Sequence, residues 1–514
     1  MRSSLNKALF WGSALILLNG GWVTAQPILL IPQKEGAIVT TPSLPPMQEA
    51  TGFWEGTPPS VIESYFPKLP VRLASPVLRA LRSEIIKEKY TPLLKNPIYE
   101  KNLLSLFIET GQFEQAKDSL LERDFPNKEK IFLDLQWLEG ESKKACEKIS
   151  NLIRTSSTPE WKLQNIYCLY LNGENERGKI AAELLSESNP HDSFLINALF
   201  DASTPPSFEP SIAKSPFLLT VWCTIGQEIP EEALKSFAPS FLPIVARSEK
   251  MPLKTRLLAA EKAFQEGAFK GEAILPLLKD APQEDFLAKF AHELKTPKVE
   301  SLLPLFQKAG QEQKLGLIAD IFKSPLSKID PSQETLALAP YMIRGFLEAG
   351  EKDMAQKWGP FFMRESPEEA IAVLPLLHLA FPQTKWNETQ LQAWQAYQTR
   401  VHPETAAQNS YLLRRILEAL GEAPGPAIKG EPTPSSWRQE KTLFDEKDLA
   451  LLDSAVESKR KGEVLLLTLA IIGETPFKEL SVDKFTRLLG PLHKTGYSQE
   501  ARSLALEFLL AKGI

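Results

Sequence analysis

The sequence of 514 residues is poor in the side chains that most often carry chemistry: it has three cysteines and five histidines. No two histidines stand at i, i+3 or i+4, and no H-E-x-x-H is present, so no metal site of known spacing is indicated. The phosphate-cradling patterns G-x-x-x-x-G-K-[ST] and G-x-G-x-x-G are absent, as are the G-x-S-x-G nucleophile elbow and the redox C-x-x-C. No cofactor is therefore expected. There is no block of basic residues, and the net charge of −5 makes a poor counterion-release partner for nucleic acid. Apolar–polar alternation with hairpin dipeptides is nearly absent too, which argues against sheets.

Long apolar runs are also missing, with one short exception at the start. Arg2 and Lys7 precede an apolar stretch from Ala8 to Leu18, and "VTA" ends at Ala25. This is the pattern of a secretory signal peptide, residues 1–25, cleaved after Ala25. An uncleaved anchor is the rival reading, although about 20 residues are needed to span a bilayer. No cysteine follows the cleavage site, so a lipid anchor has no attachment point, and "EVLLLTLAIIG" at 463–473 has the length of a buried helix. The expectation is a periplasmic protein with no stable membrane span after cleavage. Loss of Arg2 and Lys7 takes the net charge from −5 to −7.

What is abundant is proline, 41 residues, clustered at 27–76, 205–216 and 424–434. Such clusters read as extended, helix-free connectors. They divide the chain into a Pro-rich arm (26–74), a helical-hairpin block (75–200), a linker (201–216), a second helical block (217–421), a Pro/Gly-rich linker (422–437) and a C-terminal helical block (438–514). Between the linkers, apolar residues recur at spacings of three and four, as in "SPVLRALRSEIIKE" and "DEKDLALLDSAVESKRKG". The class is all-α.

One local pattern returns: "FIETGQFEQAK" at 107, "WLEGESKKACE" at 137, "YLNGENERGKI" at 170, "FLEAGEKDMAQ" at 346 and "LHKTGYSQEAR" at 492. Gly111, Gly140, Gly173, Gly350 and Gly496 each have Ala or Gly five residues on, and Phe107, Trp137, Leu169, Phe346 or Leu492 three or four before. Glycine ends a helix in the left-handed conformation without a Cβ penalty, and the small residue lets the next helix lie close. This is the logic of tetratricopeptide-like hairpins of about 34 residues. The first three turns are 29 and 33 residues apart, but the later ones are uneven. "LFQKAGQEQKLGLIADI" at 305 reads as a degraded copy with Leu315 in the small position. The pattern points to an irregular α-solenoid of hairpins; a multi-block helical bundle is the alternative.

The hairpin model places two cysteines. A helix after Gly140 runs to about Arg154, and the next begins near Glu160, with the connection centred on Ser157. Cys146 lies 11 residues before that centre and Cys168 lies 11 after, so antiparallel helices bring them level. A disulfide between them is expected, with two buried free thiols as the alternative. Cys223, in "LLTVWCTIG", reads as a buried unpaired thiol.

Several residues resemble catalytic groups and are better explained otherwise. "SIAK" at 211–214 and "KTG" at 494–496 match two motifs of serine acyl-enzymes, but Ser211 is flanked by Pro210 and Pro216, and Lys494 to Gly496 falls in a helix–turn–helix. Lytic transglycosylases combine exported helical superhelices with a catalytic domain, which the C-terminal 75 or so residues are too short to hold. Glu231/Glu232 and Glu368/Glu369 follow prolines and suit first helical turns. His378, in "LPLLHLAF", reads as a satisfied core histidine, and Trp137, Trp161 and Trp222 as core. Phe53 and Trp54, in "GFWEG", could stack on sugar, but more simply they staple the arm onto the first helix.

The stretches "GFWEGTPPSVIESYFPKLPVRLASPVLRALRSEII", "KKACEKISNLI…EWKLQNIYCLYLNGENERGKIAAELL" and "GYSQEARSLALEFLLAKG" resemble a family of exported, uncharacterised alphaproteobacterial proteins, some labelled "antifreeze glycopeptide"-related. The resemblance covers both ends better than the middle and implies no activity. Ice binding needs flat arrays of Thr, which this sequence lacks. The expectation is a non-catalytic scaffold or adaptor whose concave surface binds another envelope protein or peptide; a peptidoglycan- or glycan-binding accessory module is the alternative.

Overall fold

The structure, a computed structural model, describes residues 52–88, 96–156, 158–188, 190–201, 206–282, 284–383, 387–423, 425–431 and 446–514. The expected signal peptide and its cleavage site lie outside these residues, as do Ser157 and residues 424 and 432–437 of the 422–437 linker. All regular structure among the described residues is helical, with no strand.

Proline does more than interrupt. Helices begin on Pro59, Pro76, Pro97, Pro159, Pro216 and Pro367, where the missing N–H would be unpaired in any case and the fixed φ suits a first helical turn. Ser75, Asn96 and Ser215 cap three of these starts by accepting from Leu78, Ile98 and Leu218. The arm that the sequence presents as extended therefore carries a helix, Pro59–Tyr65, and the 201–216 linker holds one 3₁₀ turn, Ile212–Lys214.

The recurring turns share one backbone geometry. Gly111, Gly140, Gly173, Gly350 and Gly496 have φ between +77° and +102°. In each, the N–H after the glycine reaches back to the carbonyl five residues earlier: Gln112 to Phe107 (2.8 Å), Glu141 to Gln136 (2.8 Å), Glu174 to Leu169 (2.9 Å), Glu351 to Phe346 (2.7 Å) and Tyr497 to Leu492 (3.0 Å). These are 6→1 bonds of the Schellman motif, which satisfy carbonyls a helix end leaves unpaired. The small residues do pack closely. Ala116, Ala145, Ala355 and Ala501 are fully buried, and a Cβ on Gly178 would lie 2.7 Å from the Phe200 ring.

The same turn occurs without glycine. Gln313 (φ +57°) and Lys459 (φ +56°) take the left-handed position, with Lys314 bonded to Ala309 (2.8 Å) and Arg460 to Ala455 (2.9 Å). In the copy at 305 the turn therefore sits at Gln313, while Gly310 stays inside the helix Val299–Gln311. The expected register, with Leu315 as the small position, is displaced by three residues.

Helices pair with their chain neighbours: Pro97–Glu109 with Phe113–Glu122, Ser142–Thr155 with Pro159–Leu171, Ala339–Glu348 with Lys352–Glu365, and Val482–Lys494 with Ser498–Ala511. A stack of such pairs with free ends would leave its first and last units apart. Here they meet. The helix Lys461–Ile472 is apolar on all sides, and Gly462 through Leu469 are buried without a break. It packs against Gly52–Trp54, Pro59–Tyr65 and Pro76–Lys87 from the beginning of the described chain. Gly462 permits this approach, since a Cβ there would lie 2.7 Å from the Phe53 carbonyl and 2.8 Å from the Trp54 ring. Polar ties cross the same seam, Tyr65 to Asp448, Ser75 to Glu507 and, at 3.0 Å, Tyr497 to Glu84. The C-terminal helices also pack on the middle of the chain, Ser498–Ala511 on Leu374–Ala380 and Val482–Lys494 on Ala406–Ala419. The described residues from 52 to 514 form one compact unit around a continuous core.

Candidate functional site

Because the ends meet, helices from distant parts of the chain face a common cleft of about 1470 Å³. Its walls come from the 72–78 segment, the ends of the helices Leu253–Gln265 and Val299–Gln311, the outward face of Ala339–Glu348, residues 397–409, the 474–478 loop and the last helix. The surface mixes amides (Gln307, Gln311, Asn409), two tyrosines (Tyr341, Tyr397) and charges of both signs.

Two carboxyls in this cleft are strongly perturbed. Burial pushes Glu348 up to about 7, against the pull of the Gly316 N–H and of Arg344. Burial likewise pushes Glu507 up to about 7, against hydrogen bonds from Ser75 and Val77 and the charge of Arg79. Carboxyls that titrate near neutrality in a cleft are candidates for general acid–base work. Their geometry gives them another role. Glu348 accepts from the Gly316 N–H (2.7 Å) at the start of the helix Leu315–Ile321, and Glu507 accepts from the Val77 N–H (3.3 Å) and the Ser75 hydroxyl at the start of Pro76–Lys87. Each caps the N-terminus of a neighbouring helix, where orphan N–H groups and the helix dipole favour an acid. Gly316 is small because Glu348 comes close: a Cβ there would lie 2.7 Å from the Glu348 Cβ.

Three of the cleft's cations have carboxylate partners. Arg72 pairs with Glu474 (2.8 Å), Lys262 with Glu266 (2.8 Å) and Lys235 with Glu232 (2.7 Å). Arg344 differs. Burial lowers its pKa, partly offset by the charge of Glu348 one turn on and by Tyr397 and Tyr341, yet it makes no hydrogen bond or ion pair among the described residues.

Of the residues singled out in the sequence, the structure brings together Cys146 and Cys168, at disulfide distance with Cα atoms 5.5 Å apart, on Ser142–Thr155 and Pro159–Leu171. Cys223 is buried and unpaired, and burial pushes its thiol up to about 12. Ser211 and Lys214 sit around the single 3₁₀ turn Ile212–Lys214, and Thr495 and Gly496 in the turn between the last two helices. Glu231/Glu232 and Glu368/Glu369 occupy first helical turns. His378 is buried with its Nε2 2.6 Å from Glu422, and Arg502 binds both Glu422 and, at 2.9 Å, the His378 carbonyl. Trp137 and Trp222 are buried, while Trp161 is only half-buried. Trp54 is buried as well, donating to the Glu88 carbonyl and lying against Gly462, so it ties the arm to the C-terminal block and has no face free for sugar. Arg344, Glu348 and Glu507 carried no sequence signal: R-x-x-x-E on a helix is a common surface pair.

Fold and cleft together define an all-helical protein of paired helices with meeting ends and a mixed-charge central cleft. Among the described residues no group of three or more His, Cys, Asp or Glu is placed to hold a metal, and no helix is long and apolar enough to cross a membrane. No family model, no curated protein and no solved structure matches the chain.

Proposed function

We propose that this is a non-catalytic scaffold or adaptor of the cell envelope, whose central cleft binds a segment of another envelope protein. The carrying observation is the cleft itself: about 1470 Å³, walled by helices from both ends and the middle of the chain. A site assembled from so many elements holds an extended ligand along its length, as helical-repeat surfaces do. Its amides and tyrosines suit backbone and side-chain contacts with peptide. The perturbed carboxyls serve as helix caps, which supports binding over catalysis. Cys146 and Cys168 at disulfide distance suit an oxidising compartment, in keeping with the signal-peptide reading.

A photoactivatable residue at Tyr341 or Tyr397, in cells, should crosslink to a discrete protein, whereas the same residue at exposed Leu184 should not. Equal labelling from both positions would remove the cleft from the proposal. The alternative, a glycan-binding module, draws on the same two tyrosines; it requires co-sedimentation with purified peptidoglycan that is lost when both become alanine.

A further inference from the structure

We infer that Arg344 is the anchor for a carboxylate of the ligand, either an acidic side chain or a free peptide C-terminus. The inference rests on the reading of the cleft as a peptide site and names the group that the site selects.

Arg344 lies on Ala339–Glu348 and lines the cleft. A guanidinium withdrawn from water is costly unless its donors are satisfied. The acid nearest in sequence does not supply this. Glu348 stands one turn on, but its carboxylate is committed to the Gly316 N–H at 2.7 Å. Arg72, Lys262 and Lys235, which line the same cleft, each have a carboxylate partner within 2.8 Å. Arg344 is thus a planar five-donor fork with no hydrogen-bonding partner, in the same cleft as Tyr341 and Tyr397. That geometry matches a carboxylate, which two parallel N–H groups can grip.

The tyrosines and amides of the cleft then hold the polar, partly apolar chain that carries the carboxylate.

The test uses the full mature chain and three random heptapeptide libraries: one with free C-termini and no Asp or Glu, one amidated with a single internal Glu, and one amidated with no acid. Capture is compared for the wild type, R344Q and R344K. The inference expects enrichment of the first or second library over the third, which also tells a terminal from a side-chain carboxylate. R344Q should lose about 10- to 100-fold of that capture, the range for a charge-assisted hydrogen-bonded pair, and R344K should recover part of it. The melting temperature of R344Q should equal or exceed that of the wild type, because a half-buried charge without a hydrogen-bonding partner has been removed. A fall in melting temperature with unchanged capture would make Arg344 structural and overturn the inference. Equal capture of all three libraries, unaffected by R344Q, would overturn it while leaving the peptide-binding cleft standing. No capture in any arm would remove both.

Discussion

Arg72 and Glu474, 402 residues apart, are joined three ways: the Arg72 Nη2 and Nε donate to one carboxylate oxygen at 2.8 and 2.9 Å, and the Arg72 backbone N–H to the other at 3.0 Å. Burial acts to raise Glu474, but the hydrogen bonds from Arg72 outweigh it and leave the carboxyl below its ordinary range. Both side chains are more than a third exposed, so the charge pairing itself contributes only about 1 kcal/mol or less. The bond marks where the two ends of the described chain meet, alongside apolar packing of the helix Lys461–Ile472 on the first described helices.

That packing is close at Gly462. Replacing it by Val places a branched side chain where even a Cβ would lie 2.7 Å from the Phe53 carbonyl. Gly462→Val should lower the unfolding free energy by about 1–3 kcal/mol in urea titration, the range for overpacking a filled core. R72A should lower it by no more than about 1 kcal/mol.

The left-handed turns give substitutions of opposite sign. Gly111→Ala or Gly350→Ala forces a Cβ into the left-handed region and should cost about 1 kcal/mol each. Gln313→Gly and Lys459→Gly relieve that strain at the two turns that lack glycine and should stabilise by up to about 1 kcal/mol. Thermal melts of the four variants decide it.

Those turns also show how far the sequence could be read. A Schellman turn needs a left-handed residue, and glycine announces it, so the helix pairs at Gly111, Gly140, Gly173, Gly350 and Gly496 were visible. At Gln313 and Lys459 the surrounding packing overrides the residue's preference, and no local letter records it. Gly310 attracted the assignment in the first case because it is the nearest glycine. The meeting of the ends was not legible for a different reason. Trp54 and Gly462 carry no pairing signal across such a separation, and Trp54 reads as a local staple until the helix Lys461–Ile472 is seen against it. Arg344 was hidden because its distinction is a missing partner, which only three-dimensional geometry reveals.

Thiol counting tests the hairpin at Cys146 and Cys168. Under denaturing, non-reducing conditions one thiol, Cys223, should react, and without denaturant none, because Cys223 is buried. Reduction should lower stability by about 3 kcal/mol in the chain-entropy model. Three reactive thiols under denaturing, non-reducing conditions would mean that the pair is not bonded.

Acid should stabilise this protein between pH 8 and 5. Burial raises Glu348 and Glu507 from 4.5 to about 7, and Asp134 from 3.8 to about 7. A carboxyl with a folded pKa above its unfolded one binds its proton more tightly in the fold. Its contribution is complete below about pH 4 and is lost as pH rises through 7. Each group accounts for up to about 3 kcal/mol, at roughly 1.4 kcal/mol per pH unit. Melting temperature should therefore rise on titration from pH 8 to 5, and Glu348→Gln or Glu507→Gln should flatten the slope. A melting temperature that falls steadily over that range would contradict the burial of these acids.

Hydrogen exchange in the helix Lys461–Ile472 tests the central claim most directly, namely that the two ends of the described chain build one core around the cleft. The amides from Val464 to Leu469 should exchange only through global unfolding, and Trp54→Ala, some four hundred residues away in sequence, should speed them markedly. Exchange in that helix unchanged by Trp54→Ala, with the change confined to the segment around residue 54, would mean that the ends fold independently and that the cleft is not enclosed by both.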